Sequence, residues 1–462
     1  MTTQMILMVV ILLAVTYMFF SPRFPNAVVA TIGAVAVGLI GTVQFKSIFT
    51  YYAGTSIVLM VGMMIVGGGM FHTGFAGWMG NSIVKLTGKG ERSLQIIAIL
   101  AGGIMAEAKL SDRIVSFCGE LVSWMRGGIG CVCVVANMIF AALTGSGAAS
   151  ISAIGGLVTP ELKKAGYKPG FVAALIAGAG ALGPIIPPSM NMIVYGSITG
   201  ESTGKLFVGG VIPGIIIGAF LIGITVYYAK KWNVDAGTGN FNAKRLWKTF
   251  KDAIWALITP AIIIGGILGG VFTATEAGIV ACIYGLICGL AIYRTIRIRE
   301  LPRMFRSATE GTCMIMMIMG IAAVYGYIFA IENVGTIVTE WMLSITTNKY
   351  LIQLMILALM TLIGMFMETV AAMTVLLPVI YPLAMQVGVD PIGFGVWYCI
   401  STVLGGLTPP VGVYLFQSMG IVPAKFKEVV PYMIPIVIVV IITMLLIVFV
   451  PGIASWLPNA VM

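Results

Sequence analysis

Charged residues are scarce in this chain. They make up 9% of its 462 residues, whereas soluble domains carry roughly 25%. Hydrophobic residues make up 59% of the sequence, and the mean hydropathy is +1.06. This composition excludes an ordinary soluble domain and predicts a polytopic membrane protein.

Histidine and paired cysteines are also nearly missing. His72 is the single histidine, and the seven cysteines contain no C-x-x-C pair. Cys131 and Cys133 lie closer together than the usual zinc ligands. We therefore expect no His-based metal site and no cofactor, with the cysteines acting as small buried hydrophobic residues.

Two further signals are absent from the sequence. No G-x-x-x-x-G-K-[ST] motif occurs, so we expect no ATP site on this chain. Met5–Phe20 is apolar but has no basic residues before it and no A-x-A site after it, so we expect no cleavable signal peptide.

Basic residues exceed acidic ones, giving a net charge of +10. Eleven of the 26 Lys and Arg residues lie between Lys230 and Arg306, in two clusters that flank hydrophobic runs. The positive-inside rule places such clusters in the cytoplasm. The charge thus indicates topology and not nucleic-acid binding.

The main positive feature is an internal repeat between residues 144–213 and the segment 222 positions later. Most of the matched positions are proline or glycine, which are hard to align by chance in an apolar chain. The matches are Pro160 with Pro382, Gly166 with Gly388, Pro169 with Pro391, Gly183 with Gly405, Pro187-Pro188 with Pro409-Pro410, Lys205 with Lys427, and Pro213 with Pro435.

Each copy carries a double proline inside a membrane-grade hydrophobic run, and proline breaks a helix there. Within a bilayer such a break is tolerated only where protein buries it or where it lines a cavity. Paired interrupted helices in two halves indicate a transporter's binding site. Ahead of the first break, two half-length apolar pieces surround Thr144–Gly147, as in a re-entrant hairpin.

We therefore predict an all-α polytopic membrane protein of about 11–13 transmembrane segments, with two re-entrant hairpins and two broken helices in inverted repeats. Residues 1–95 form N-terminal segments and 230–252 a basic cytoplasmic loop. The first repeat is 96–229 (hairpin 130–158, broken helix 171–198). Residues 253–350 are scaffold helices, and 351–462 hold the second repeat and last helix (hairpin 351–387, broken helix 393–421).

Candidate ion- or substrate-binding residues lie at the hairpin tips and breaks, because half-helix ends attract ions. In the first half they are Thr144, Gly145, Ser146, Gly147, Gly183, Pro187, Pro188, Ser189 and Asn191; in the second, Glu368, Thr369, Gly405, Thr408, Pro409, Pro410 and Gly412. Gly145, Ser146, Glu368 and Thr408 are the sodium candidates. The alternative is structural, with small residues at a helix crossing and prolines as kinks. Glu276 is an acidic residue in apolar surroundings, but we expect it to lie at the start of a helix capped by Thr273 or Thr275.

Several motifs together resemble the large membrane subunit of the tripartite ATP-independent periplasmic (TRAP) transporters, from about residue 100 to the end. They are Phe140-Ala-Ala-Leu-Thr-Gly-Ser-Gly147, Gly183-Pro-Ile-Ile-Pro-Pro-Ser189, Tyr195-Gly196, Gly204-Lys-Leu-Phe207, Phe272-Thr-Ala-Thr-Glu-Ala277, Gly364-Met-Phe-Met-Glu368 and Leu407-Thr-Pro-Pro-Val-Gly412. Thr144 stands where the family usually has serine, and Glu368 where it usually has aspartate.

The resemblance implies an elevator-type sodium symporter of the inner membrane that takes up an organic acid, such as a C4-dicarboxylate or a sugar acid. It also implies two partners, a small four-helix membrane subunit and a periplasmic substrate-binding protein. Residues 1–95 are longer than the family's usual start and look more like the start of another ion-transporter family that carries dicarboxylates or arsenite, which suggests a stand-alone sodium–dicarboxylate symporter. That is the alternative within transport.

Two other functional classes, an enzyme and a passive channel, are less favoured by the sequence. An intramembrane serine hydrolase would use Ser146 with His72, but Leu143 and Thr144 precede Gly145 where such a serine usually has a further glycine. A hydrolase also leaves the repeat unexplained, so we expect no enzyme activity. A passive channel would show flux that persists without a sodium gradient.

Overall fold

The computed structural model describes residues 110–461, except 123, 236, 238–240, 270, 273, 303–333, 366–368 and 410–411. Throughout these residues the regular structure is helical, with no strand. The predicted first segments (1–95), Glu368 and Pro410 lie outside the described residues.

The helices of the first half surround one hairpin and one interruption. They are α1 (Leu110–Val122), α2 (Gly128–Thr144), α3 (Gly147–Lys164), α4 (Pro169–Gly180), α5 (Met190–Thr199) and α6 (Thr203–Trp232). Between the halves lie α7 (Ala243–Leu268) and α8 (Ala274–Ile287), and α8 continues as a π-helical turn, Cys288–Ile292.

The second half repeats this order. It comprises α9 (Val334–Ile345), α10 (Lys349–Gly364), α11 (Thr369–Gln386), α12 (Pro391–Leu407), α13 (Val413–Ile421), α14 (Phe426–Phe449) and α15 (Gly452–Val461). Moving α3 by 222 positions reproduces the bounds of α11, and the same shift carries Pro169, the start of α4, onto Pro391, the start of α12. The sequence repeat is therefore a repeat of helices.

The two copies are inverted with respect to each other, as α6 and its counterpart α14 show. At the end of α6, the Trp232 ring lies 5.6 Å from the ring of Tyr432, near the start of α14. Near the start of α6, a Cβ on Gly209 would lie 2.7 Å from the carbonyl oxygen of Ala454, just past the end of α14. The equivalent helices thus run antiparallel.

Three of the described helices, α6, α7 and α14, are long and apolar enough to cross a membrane. Another pair, α9 and α10, meets the same test together but bends by 120° at the break between them. Shorter apolar helices, including α2, α4 and α12, fill the space between. This combination of full-length and half-length helices suits a membrane protein whose broken helices are buried in protein.

The connection between the halves is shorter than the predicted loop of 230–252. Helix α6 continues to Trp232 and α7 begins at Ala243, so residues 233–242 separate the two helices. The prediction was wrong because basic residues were taken as loop. In the structure Lys230 and Lys231 form the last turn of α6, where positive charge suits the helix dipole.

The first residues after α6 are fastened to the start of α2. The carboxylate of Asp235 accepts hydrogen bonds from the Ile129 amide (2.9 Å) and the Tyr167 hydroxyl (3.1 Å). The Gly127 amide donates to the Asp235 carbonyl at 2.8 Å. Burial, and then the nearby Asp235, raises the pKa of Tyr167, so its hydroxyl stays protonated as a donor. This network holds the base of the first hairpin against the end of α6.

Candidate functional site

The tip of the first hairpin is a two-residue turn between α2 and α3. Gly145 ends α2 in the left-handed region (φ 61°), which glycine adopts without strain. Ser146 is the N-cap of α3, and its hydroxyl accepts from the Ala149 amide at 3.4 Å. Thr144 is buried and donates its hydroxyl to the Phe140 carbonyl at 3.2 Å.

The first broken helix is interrupted between Gly180 and Met190. Gly183, Pro187 and Pro188 lie in the non-helical segment, with a cis peptide bond between the prolines. Ser189 is fully buried and caps α5, since its hydroxyl accepts from the Met192 amide at 3.3 Å and donates to the Pro184 carbonyl.

The hairpin tip and the break touch through backbone atoms. A Cβ on Gly183 would lie 2.5 Å from the carbonyl carbon of Ser146 and 2.6 Å from the Gly147 nitrogen. A Cβ on Gly145 would collide with the Pro188 carbonyl oxygen, and the Met190 amide donates to the Gly145 carbonyl at 3.3 Å. The glycines thus allow two half-helix ends to meet.

The second half has a related close contact, although it lies at the end of α10, four residues before the position equivalent to Ser146. A Cβ on Gly405 would lie 2.7 Å from the carbonyl oxygen of Gly364, at the end of α10. Thr408 follows α12 and donates its hydroxyl to the Leu404 carbonyl at 2.6 Å. Pro409 follows it, and Gly412 precedes α13 with φ 28°. Thr369 is buried at the start of α11.

Several side chains join the halves, among them those of Asn191 and Tyr414, and of these two only Asn191 was predicted from the sequence. The Asn191 amide nitrogen donates to the Thr402 hydroxyl at 3.2 Å, from α5 to α12. The ring of Tyr414 lies between the halves, 2.8 Å from a Cβ on Gly147 and 2.7 Å from one on Gly406. Thr402 and Tyr414 carried no motif signal, although Tyr414 lies two residues after the predicted Gly412.

The oxygens at the tips and breaks suit a hard cation. Thr144, Ser189 and Thr408 donate their hydroxyl hydrogens to backbone carbonyls. The oxygens of Thr144 and Ser189 also accept the amides of Ser146 and Met192, and each hydroxyl oxygen has two lone pairs, so capacity for another partner is left. Within the described ranges no three His, Cys, Asp or Glu residues come together. Hydroxyl and carbonyl oxygens are therefore the available ligands at the described tips and breaks.

Glu276 lies in the first turn of α8, where its charge suits the helix dipole. The five fully described cysteines, Cys118, Cys131, Cys133, Cys288 and Cys399, are buried and unpaired, as predicted.

Residues 86–453 match the family model "Tripartite ATP-independent periplasmic transporter, DctM component". The chain is 37% identical to the isethionate TRAP transporter permease protein DctMQ of Oleidesulfovibrio alaskensis, over 77% of this chain and 56% of that protein. It therefore spans little more than half the length of that relative.

Two other relatives are covered more fully. Identity is 35% to the 2,3-diketo-L-gulonate TRAP transporter large permease protein YiaN of Escherichia coli, over 78% of this chain and 86% of that protein. It is 32% to the C4-dicarboxylate TRAP transporter large permease protein DctM of Vibrio cholerae, over 88% and 97%. These proteins are permease subunits and not enzymes.

Among solved structures, the YdaH transporter of Alcanivorax borkumensis matches with a TM-score of 0.54 at 17% identity, covering 80% of this chain and 87% of that one. MtrF of Neisseria gonorrhoeae matches with a TM-score of 0.52 at 14% identity, covering 80% and 83%. At these identities the match shows the fold alone, that of membrane transporters. The chain belongs to the DctM component family of the tripartite ATP-independent periplasmic transporters.

Proposed function

We propose that this chain is a secondary active transporter that takes up a small organic anion across the inner membrane, coupled to sodium. The observation that carries the proposal is the contact between Ser146 at a hairpin tip and Gly183 in a broken helix; in the second half Gly405, the equivalent of Gly183, also meets backbone, at Gly364. Two half-helix ends that meet inside a membrane protein form a natural ion site.

Sodium fits the chemistry of the site. The hydroxyl groups of Thr144, Ser189 and Thr408 donate their hydrogens to backbone carbonyls, so their oxygens can face a cation. Backbone carbonyl oxygens lie at the same helix breaks. Such oxygens are good ligands for hard cations. Helices α3 and α5 begin here, at Gly147 and Met190, and the positive ends of their dipoles favour an anion. A cation and an anion could thus bind side by side.

The substrate class is a small organic acid. The relatives are named for a sulfonate, a diketo sugar acid and C4-dicarboxylates. We infer a carboxylate such as a C4-dicarboxylate or a sugar acid, which the bound sodium and the helix amides would recognise together.

The partners are a small four-helix membrane subunit and a periplasmic substrate-binding protein, as the family resemblance implies. An elevator movement of the repeat-containing part would expose the site alternately to each side, because the inverted repeat gives two related arrangements. The alternative is a stand-alone sodium–dicarboxylate symporter. It is suggested by residues 1–85, which precede the part that matches the family model.

Uptake into proteoliposomes tests the proposal. The chain is reconstituted alone and then with the proposed small subunit and binding protein. Isethionate, sialic acid and C4-dicarboxylates are supplied with an inward sodium gradient or with the gradient collapsed. Uptake that needs the binding protein and sodium supports the proposal. Uptake by the chain alone supports the stand-alone symporter, and flux without a gradient would refute both.

Thr408 offers a sharper test of the sodium site. Thr408→Val removes the hydroxyl oxygen, whereas Thr408→Ser keeps it as the matched control. We expect the valine variant to raise the sodium concentration for half-maximal uptake by roughly tenfold, the effect of about 1.4 kcal/mol. Equal sodium dependence in the two variants would exclude Thr408 as a ligand.

A further inference from the structure

Seven lysines lie at one end of the site-bearing helices. Helices α3 and α6 end there, and α4 and α14 begin there. We call this surface the inner basic patch; it consists of Lys163, Lys164, Lys168, Lys230, Lys231, Lys425 and Lys427. The start of α4 is in backbone contact with the start of α14, because a Cβ on Gly170 would collide with the Glu428 carbonyl. All seven side chains are exposed.

Five aromatic rings lie directly beneath these lysines. The rings of Tyr167, Phe171, Tyr228, Trp232 and Tyr432 form one cluster, with centroid distances from 4.9 to 6.5 Å. They come from three separate parts of the chain, 167–171, 228–232 and the start of α14. Tyrosine and tryptophan concentrate at the boundary between the hydrocarbon and the headgroups of a bilayer. The aromatic cluster therefore marks the level of the membrane interface.

Two of the seven lysines, Lys168 and Lys231, approach rings of this cluster, and Lys231 also lies 5.7 Å from the adjacent Tyr227 ring. The Lys168 ammonium lies 5.1 Å from the Trp232 ring centroid, and the Lys231 ammonium lies 5.9 Å from that of Tyr228. Lys164 forms an ion pair with the neighbouring Glu161 carboxylate at 2.7 Å. The Glu428 carboxylate is engaged with the Lys425 amide at the start of α14. The patch thus keeps an excess of positive charge.

We propose that the inner basic patch binds the phosphate headgroup of an anionic phospholipid from the cytoplasmic leaflet. The lysines supply the charge for the phosphate, and the half-exposed rings of Tyr228, Trp232 and Tyr432 supply the amphipathic surface for the glycerol backbone. The positive-inside rule accounts for lysines on this side of the membrane. It does not account for their convergence from four helix ends around one cluster of rings.

The patch is connected to the transport site through its own helices. Lys163 and Lys164 end α3, whose other end is the hairpin tip, and Lys168 precedes α4, which leads into the first break. A bound lipid would hold these helix ends at the headgroup level. The transport rate is then expected to depend on the anionic lipid content of the bilayer.

Lipid binding can be measured without transport, by native mass spectrometry of the purified chain in neutral detergent. Phosphatidylglycerol is titrated against phosphatidylcholine with the same acyl chains. The test variant combines Lys168→Gln, Lys230→Gln and Lys231→Gln. The matched control combines Lys244→Gln, Lys248→Gln and Lys251→Gln, which removes the same charge from exposed positions on α7.

We expect the wild-type chain and the control to prefer phosphatidylglycerol and the test variant to lose this preference. Each lysine near an anionic headgroup contributes about fivefold to binding, so three account for a loss on the order of a hundredfold. Replacement of the same three lysines by arginine should keep the preference and shows that the fold tolerates change there. Equal losses in test and control, or retained preference in the test variant, would overturn the proposal.

Discussion

Gly183→Ala is the most direct perturbation of the contact between the hairpin tip and the broken helix. Gly183 faces the peptide between Ser146 and Gly147, and its φ is not in the left-handed region. The substitution therefore acts through the added methyl group and not through backbone strain. Both neighbours are backbone atoms, which cannot rotate away as a side chain could.

The size of the effect follows from the distances. The added Cβ would lie 2.5 Å from the Ser146 carbonyl carbon, whereas ordinary contact begins at 3.4 Å. The tip and the break must separate by about 0.9 Å, and overpacking of this kind costs about 1–3 kcal/mol. A displacement of about 1 Å at a functional site can lower its activity by roughly a hundredfold. We expect a folded protein whose uptake falls at least tenfold.

Two alanine variants separate this effect from general destabilisation. Gly178→Ala places a Cβ 2.7 Å from a methyl group of Ile436, a side chain, at a point away from the tip. Gly156→Ala adds a methyl to an exposed position on α3 with nothing within 4 Å. Initial uptake of the acid found in the substrate screen, and thermal unfolding in detergent, are measured for all three.

The loss of uptake relative to the loss of stability distinguishes a specific role of the contact from general destabilisation. Gly156→Ala should match the wild type, and Gly178→Ala should lower the unfolding temperature while keeping most uptake. Gly183→Ala should lose uptake beyond what its stability explains. If Gly183→Ala and Gly178→Ala lose uptake in equal proportion to their stability, the tip–break contact has no special role.

Three further predictions concern other contacts. Thr402→Val leaves the buried Asn191 amide without its acceptor and should destabilise the protein by about 1–3 kcal/mol, whereas Thr402→Ser should not; thermal unfolding compares them, and equal values would contradict the role of the hydroxyl. Asp235→Ala removes the acceptor for two donors and should destabilise by about 1–2 kcal/mol, while Asp252→Ala, at an exposed position, serves as the control; no difference between them would show the network to be inert. Cysteines at the equivalent exposed positions Lys164 and Gln386 should react with an impermeant maleimide from opposite sides of the membrane, and labelling from one side would contradict the inverted repeat.

The sequence alone predicted the repeat, because proline and glycine leave a visible mark in an apolar chain. The interruption around Pro187-Pro188 appears between Gly180 and Met190, and the family membership was confirmed. Backbone-breaking residues act locally, so their effect can be read at their own position. The binding roles assigned to Thr144–Gly147 and Thr408 remain predictions.

Other features needed the three-dimensional arrangement. The start of α7 carries Lys248 and Lys251, which suggested a loop, yet the Phe250 ring packs 5.8 Å from Phe117 on α1. An amphipathic helix at an interface and a basic loop have similar composition, so the positive charge of this segment could not show that it is helical. Thr402 and Tyr414 act across the two halves. Contacts between residues far apart in the sequence leave no local pattern in one chain.

The opposed directions of α6 and α14 bear on how the membrane voltage acts on this protein. A helix carries about half a positive charge at its start and half a negative charge at its end. The dipoles of two equivalent antiparallel helices largely cancel each other. Moving the two helices together across a bilayer therefore displaces little net dipole. The voltage would then act chiefly on the bound ions and substrate, at about 2.3 kcal/mol per elementary charge per 100 mV. The effect of voltage on uptake would then depend on the net charge of the bound ions and substrate, because the two helix dipoles contribute little.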